Sequence, residues 1–354
     1  MLFRIRKLLL PLLLLAPAVT FADLATLSLT GKCVDCDLSN QSYDLANFSG
    51  KKFYCSNFNN ASFQNTSFAN SIVAGKLTRT NMRGADMTAA TLEVAANHNN
   101  CTPPPLGISL ADMSITTTML HGTLNEPMID VESILFLDSD LRGSTMNGVT
   151  FISPKFKTNF KSSGVIGILA TKLTGVRAKG ASTNGGLLFV KSDARKIDFS
   201  GLSYTGNIAP VKERFFVVHS NWAGANVSNS SLPLSLWSST FTNANLSASK
   251  VAHIVKSDLS NTNFQGSNLS GSQLHKSQFD GSDFSSASLY GANMSGSSFK
   301  GANFSGAILV GANLSNADFS NADFTGANLE DVTLKGANLC EATAPSGELL
   351  FIGC

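Results

Sequence analysis

The sequence predicts an all-β solenoid, a coil of four faces and about 20 residues per turn that repeats along most of the chain. Three observations lead there. Every fifth residue from Leu259 to Leu339 is large and apolar, seventeen in a row. Two positions before each stands a small residue, as at Ser257, Thr262, Ala322 and Ala337, with Val332 the one bulkier member. A period of five matches neither the 3.6 of a helix nor the 2.0 of a strand, so the backbone must turn a corner every five residues. Sorting the large residues at spacing twenty then separates them by type. Phe264, Phe284, Phe304 and Phe324 form one set, and Leu259, Phe279, Phe299, Phe319 and Leu339 its neighbour. Leu269, Leu289, Leu309 and Leu329 form a third, and Leu274, Met294, Leu314 and Leu334 a fourth. Like stacks on like, as four core ladders around one packed axis.

Between the small and the large residue usually stands Asn or Asp, as in Ala302-Asn303-Phe304 and Ala322-Asp323-Phe324. This pattern resembles the pentapeptide-repeat family, whose motif is A-(D/N)-L-x-x. The resemblance implies a right-handed quadrilateral parallel β-helix with the central and small residues inward. It is tight over Asp258–Leu339 and looser over most of the rest. Members share an architecture rather than one activity, so the resemblance reaches the fold and stops short of a specific role.

At the start of the chain, Arg4, Arg6 and Lys7 precede the apolar run Leu8–Leu15 and then small residues. That order is a secretory signal peptide over residues 1–22, with cleavage between Ala22 and Asp23. The apolar run is shorter than the roughly 20 residues a membrane span needs, and no later stretch approaches that length. The expectation is an exported protein, periplasmic or extracellular. Removing residues 1–22 leaves 23 Lys+Arg against 24 Asp+Glu. This balance argues against nucleic acid as a partner and against the strongly acidic, DNA-like surface of gyrase-protecting relatives.

Coils are expected from residue 23 to 92, with Leu38, Tyr43, Phe48, Phe53, Phe58, Phe63, Phe68 and Val73 inward, then a one-residue slip to Leu77, Met82, Met87 and Leu92. Residues 93–235 form a degenerate, irregular solenoid with insertions. His98–Pro105 reads as an excursion, because three prolines remove backbone donors. Strands with longer corners are expected at Val165–Leu169 and Gly185–Val190. The frame returns at Trp222, Val227, Leu232 and Trp237, and regular coils fill 236–340 after further slips before Phe241 and Ile254. If everything lies in one coil, about 16 turns give a rod of at most about 75 Å. Residues 341–354 are a cap. The ending from Cys340 through Pro345-Ser346-Gly347 to Gly353-Cys354 resembles that of exported or lumenal family members. A Cys340–Cys354 disulfide would then pin Leu349, Leu350, Phe351 and Ile352 over the exposed axis.

Six cysteines in an oxidising compartment point to disulfides, although six allow fifteen pairings. Cys33–Cys36 and Cys55–Cys101 are among the candidates. Cys33-x2-Cys36 with His98-x2-Cys101 is a set zinc would accept, but nothing in the sequence brings the two segments together. A redox role for the CxxC lacks its βαβ context. No nucleophile, phosphate-loop or metalloprotease motif occurs, so no catalytic residue, cofactor or metal is assigned. Asp283, Asp318 and Asp323 occupy the repeat's own Asn/Asp position, where side chains stabilise corners. The function expected is an exported, non-enzymatic scaffold or binding module with a rigid polar surface. Its partner would be a protein or a cell-envelope polymer, and a second copy of the chain could pair through an exposed coil edge. The alternative is a carbohydrate-active or carbohydrate-binding β-helix with its site in the irregular middle. Gyrase protection by DNA mimicry ranks below both.

Overall fold

The computed structural model describes residues 21–93, 133–152, 165–205 and 215–354. They form a parallel β-helix with four faces, preceded by one helix, α1 (Phe21–Thr30). In chain order the strands are β1 (Lys32–Val34), β2 (Lys52–Asn57), β3 (Ile72–Thr78), β4 (Thr91–Glu93), β5 (Ser133–Leu137), β6 (Thr150–Ile152) and β7 (Val165–Leu169). Then come β8 (Ser182–Thr183), β9 (Gly186–Val190), β10 (Ser203–Tyr204), β11 (Phe215–Val218), β12 (Leu234–Trp237), β13 (Val251–Val255), β14 (Leu339–Thr343) and β15 (Leu349–Ile352). The first face stacks β1, β2, β3, β4, β6, β8 and β10, and the second stacks β3, β5, β7, β9, β11, β12 and β13, all in parallel. β3 runs straight through the corner and belongs to both.

The third and fourth faces are held by single bridges, one per coil. On the third face an unbroken column runs from Ser42 through Ser62, Asn81, Asp140, Lys172 and Asp193 to Asn338. It crosses thirteen coils. At about 4.8 Å per coil the stack is about 58 Å long. It is shorter than the sequence expectation because Asn81 bridges Asp140 directly, so residues 82–139 contribute a single turn of coil.

Most five-residue steps follow one local rule; at the corner from the second face to the third, amides such as Ser257 and Ser277 donate instead to a serine Oγ one coil on. The inward residue's carbonyl accepts a hydrogen bond from the amide three residues on, as from Ser267 to Phe264 (3.0 Å) and from Ala287 to Phe284 (3.0 Å). The residue between, such as Gly266 (φ +63°) or Ser286 (φ +57°), is left-handed. That combination is a type II turn, and it explains the Gly and Asn enrichment two places after each inward residue. The Asn/Asp before the inward residue caps the same corner: Asp283 Oδ1 accepts the Ser285 amide at 2.9 Å, Asp318 that of Ser320 at 3.0 Å, and Asp323 that of Thr325 at 2.8 Å. Between coils, the Phe264 amide donates to the Asp283 carbonyl at 2.7 Å. Many buried small hydroxyls are satisfied by the coil below, as Ser282 Oγ by the Leu259 carbonyl (2.7 Å) and Ser297 Oγ by the Leu274 carbonyl (2.7 Å). The Phe ladders stack ring on ring: Phe264–Phe284 centroids lie 4.6 Å apart at 4° and Phe279–Phe299 4.7 Å apart at 2°. In the N-terminal coils Phe occupies all four faces, and rings on adjacent faces meet edge to face, as Phe48–Phe53 do at 89° and Phe279–Phe284 at 61° in the C-terminal coils.

The two ends depart from expectation. α1 occupies positions assigned to the first coil. Its Leu27 is buried in the core, and its Leu27 carbonyl takes the Gly31 amide at 3.0 Å. The helix closes an axis that would otherwise be open. At the other end, residues 349–352 do not fold over the axis. β15 pairs antiparallel with β14, Leu339 opposite Ile352, and so lies alongside the last coil rather than across it. Only Leu350 packs against the core, while Leu349, Phe351 and Ile352 are exposed. With no coil above them, the ladder residue Leu329 and the small-position residue Val332 are only half-buried and the ladder residue Leu334 is exposed, not covered as the period implied. The amides of Leu329, Asp331, Leu334 and Gly336 carry no backbone hydrogen bond among the described residues.

Candidate functional site

Inward residues on three of the four corners keep the five-residue step along the whole described stack. Leu77–Met82–Met87–Leu92, Phe136–Leu141–Met146–Phe151, Ile168–Leu173–Ala178–Thr183 and Phe189–Ala194–Phe199–Tyr204 are four successive coils in register. The corner from the first face to the second keeps that step at Phe53–Phe58 and from Leu269–Leu274 onward, and loses it in every coil between. It runs from Val73 to Leu77, Leu92 to Phe136, Phe151 to Ile168, Thr183 to Phe189, Tyr204 to Val217 and Val251 to Ile254. Every frame slip and every excursion in the described chain falls on this one edge. Three chain segments outside the described residues, 94–132, 153–164 and 206–214, leave and rejoin there. They do so in three of four consecutive coils.

The second face, just past this corner, differs from the other outer surfaces. Leu187, Phe189, Phe215 and Val217 point into the core, yet their alternates Leu188, Val190, Phe216 and Val218 are also buried. Strands apolar on both sides read as continuous hydrophobic runs, as GLLFV in β9 and FFVV in β11 do. The outer row continues as stacked rings, Phe216 on Trp237 (6.2 Å) and Trp237 on His253 (6.3 Å). Trp237 was expected inward. Leu236 is the inward residue, because the corner before it is one residue short, and Trp237 turns out, half-buried. Where the corner is tightest, a shallow groove of about 350 Å³ opens, lined by Pro233, Lys250, Ala252, His253, Asn268 and Ser272. No carboxylate lines it. Nearby, burial pushes the His275 imidazole below its usual range, helped by Lys276 and His253.

The edge diagonally opposite, between the third and fourth faces, is charged in the same coils. Arg142 grips Asp140 at 2.6 Å and Arg195 grips Asp193 at 2.8 Å. Hydrogen bonds from Arg195 hold the Asp193 carboxyl below the ordinary carboxylate range against the opposing effect of burial. Burial would raise Asp140, but Arg142 outweighs it and the shift is again downward. Periodicity alone missed these residues. The signal was present at the outward positions, where Arg83, Arg142 and Arg195 recur.

Cys33 and Cys36 are disulfide-bonded, as are Cys340 and Cys354 (Cα–Cα 5.9 and 4.9 Å). Cys55 is also disulfide-bonded. Cys101 and His98 lie outside the described residues, as does Ala22 where side chains are concerned, while the Ala22–Asp23 bond itself falls within α1. Phe264, Phe284, Phe304, Phe324, Leu269, Leu289 and Leu309 are fully buried in the ladders. Among the described residues no three His, Cys, Asp or Glu side chains converge, and no helix is long and apolar enough to cross a membrane.

A family model for pentapeptide repeats matches residues 257–296 and 297–336, eight copies in all. No curated protein matches the chain. Among solved structures, the chain is similar to HetL, a pentapeptide repeat protein involved in heterocyst differentiation regulation in the cyanobacterium Nostoc. Identity there is 16% over 94% of this chain and 100% of that one, with a TM-score of 0.33. It is also similar to the pentapeptide repeat protein Rfr23 of the cyanobacterium Cyanothece, 37% identical over 25% of this chain and 60% of that one, TM-score 0.25. A third is a pentapeptide repeat protein of the Arabidopsis thaliana thylakoid lumen, 30% identical over 28% of this chain and 68% of that one, TM-score 0.24.

Proposed function

We propose that this chain, a pentapeptide-repeat protein, is an exported, non-enzymatic binding scaffold whose partner-specific surface is the variable corner. One observation carries this reading: all departures from the repeat collect on a single edge, while the other three corners hold their step through the same coils. A rigid stack in which chain additions all enter and leave at one edge can vary a binding surface without disturbing the core. The half-buried ring of Trp237, stacked on Phe216 and His253, lies on the face next to that edge, which suits protein contact better than chemistry on a small substrate. Export rests on the N-terminal pattern of charges, apolar run and small residues.

The test is a variant in which residues 94–132 are replaced by a short link like Asn184–Gly185. The rod should fold with its β-helical circular dichroism intact, and crosslinking in envelope or culture-supernatant extract should lose partners that the full chain captures. An unchanged set of crosslinked partners would refute the assignment. Mass spectrometry of the mature N-terminus checks export separately, with Asp23 as the expected first residue.

A further inference from the structure

On the third and fourth faces, charge changes sign along the rod. In the four coils spanning 81–88, 140–147, 172–179 and 193–200 these two faces carry seven Lys+Arg and four Asp. In the coils spanning 258–265, 278–285, 298–305 and 318–325 the same faces carry one Lys and five Asp. Ladder register places the cations: Lys172 follows Asp140 in one column and Arg177 follows Thr145 in the next. Lys172, Arg177 and Lys179 are exposed. Two of the four acids, Asp140 and Asp193, are already neutralised by Arg142 and Arg195, so the uncompensated charge is positive.

We propose that this strip binds an anionic polysaccharide, a chain of uronic or sulfated sugars lying along the rod. It is a second surface, diagonally across from the variable corner and independent of it. The cations sit on a rigid lattice with one coil per about 4.8 Å, which orders them before a linear polyanion arrives and reduces the entropy cost of binding it. Thr88, Thr145, Asn147 and Ser200 stand beside them and supply hydroxyl and amide partners for sugar hydroxyls. Single-stranded nucleic acid is disfavoured because its binding uses aromatic platforms, and the aromatic residues of these coils, Phe199 among them, are inside. Duplex nucleic acid is disfavoured because its basic footprint is normally far larger than this strip of four coils, in a chain that from Asp23 on carries 23 Lys+Arg against 24 Asp+Glu.

Affinity electrophoresis of the full chain in gels containing polygalacturonate, with dextran as the neutral control, tests this. The wild-type chain should be retarded by polygalacturonate alone, and less so as salt rises. The triple variant Lys172→Gln, Arg177→Gln, Lys179→Gln should weaken the retardation by about tenfold in apparent Kd. The triple variant Lys52→Gln, Lys276→Gln, Lys335→Gln removes the same charge from exposed sites elsewhere and should stay within about twofold of wild type. Circular dichroism melting of both triples ensures that folded proteins are compared. Absent retardation, equal weakening in the two triples, or equal retention by duplex DNA would each overturn the proposal. So would salt-sensitive self-association in sedimentation that the strip triple abolishes, because the basic strip would then serve the acidic coils of a second copy.

Discussion

The three regular corners and the variable corner are built from the same chain, coil by coil, and they answer to different constraints. A regular corner is locked twice. Its turn needs a left-handed residue at a fixed place, and its amide and carbonyl groups bond to the same turn one coil above and below, as Gly180 does to Ser200 (2.8 Å) and Gly201 to Ser228 (2.8 Å). Adding a residue breaks both levels at once. At the variable corner, β3 passes straight through with no turn at all, and elsewhere the chain departs and returns. The core does not register the difference, because the inward residues on either side remain in their ladders. Stability and variation have been assigned to different edges of one object.

Four experiments press on that contrast. The largest effect should come from the locked side. Phe299, fully buried between Phe279 and Phe319 at 4.7 and 4.9 Å, when changed to Ala should cost about 3–5 kcal/mol in denaturant unfolding. Next, Gly75→Ala probes the variable corner at its tightest. A β-carbon there would collide with the Ser56 carbonyl oxygen and the Phe58 ring, so about 1–3 kcal/mol should be lost even on the permissive edge. A matched pair of insertions goes further. Six Gly/Ser residues after Gly201 remove turn bonds and should cost about 2 kcal/mol, whereas the same insert between Asn184 and Gly185 should cost about 0.6 kcal/mol of loop closure. Equal melting temperatures for the two would erase the distinction between corners.

The smallest effect is electrostatic. The folded-state pKa of Asp193 is depressed, so its ion pair contributes above the unfolded pKa of about 4 and is lost as pH falls through the folded value. Wild type and Asp193→Asn should therefore differ slightly at neutral pH and converge in acid. A gap that widened below pH 4 would contradict the sign.

Much of the fold was legible where large inward residues stood out, as in the Phe and Leu ladders of 258–339. It faded in the middle for a physical reason. Inward positions there include Ala178, Thr183 and Ala194, which are too small to mark a period, and the outer row of the second face is as apolar as the core. With Leu236 and Trp237 adjacent, a five-residue count chose the larger one, and only the short corner before Leu236 reveals which points in. The individual slips could be read, but not that they share an edge, since that requires knowing which residues stack. The ends were hidden for another reason. Whether α1 or β15 covers an axis depends on what each packs against, and a ten-residue helix leaves little periodic trace.

Those two ends also set how many neighbours the rod can take end to end. One terminus is plugged by α1. The other keeps the idle amides of Leu329, Asp331, Leu334 and Gly336 beside the bare Leu334 side chain. An edge of unpaired amides is a template for another backbone, and an object with a single template has a valence of one. A solenoid open at both ends would have no such limit and would grow into a fibre.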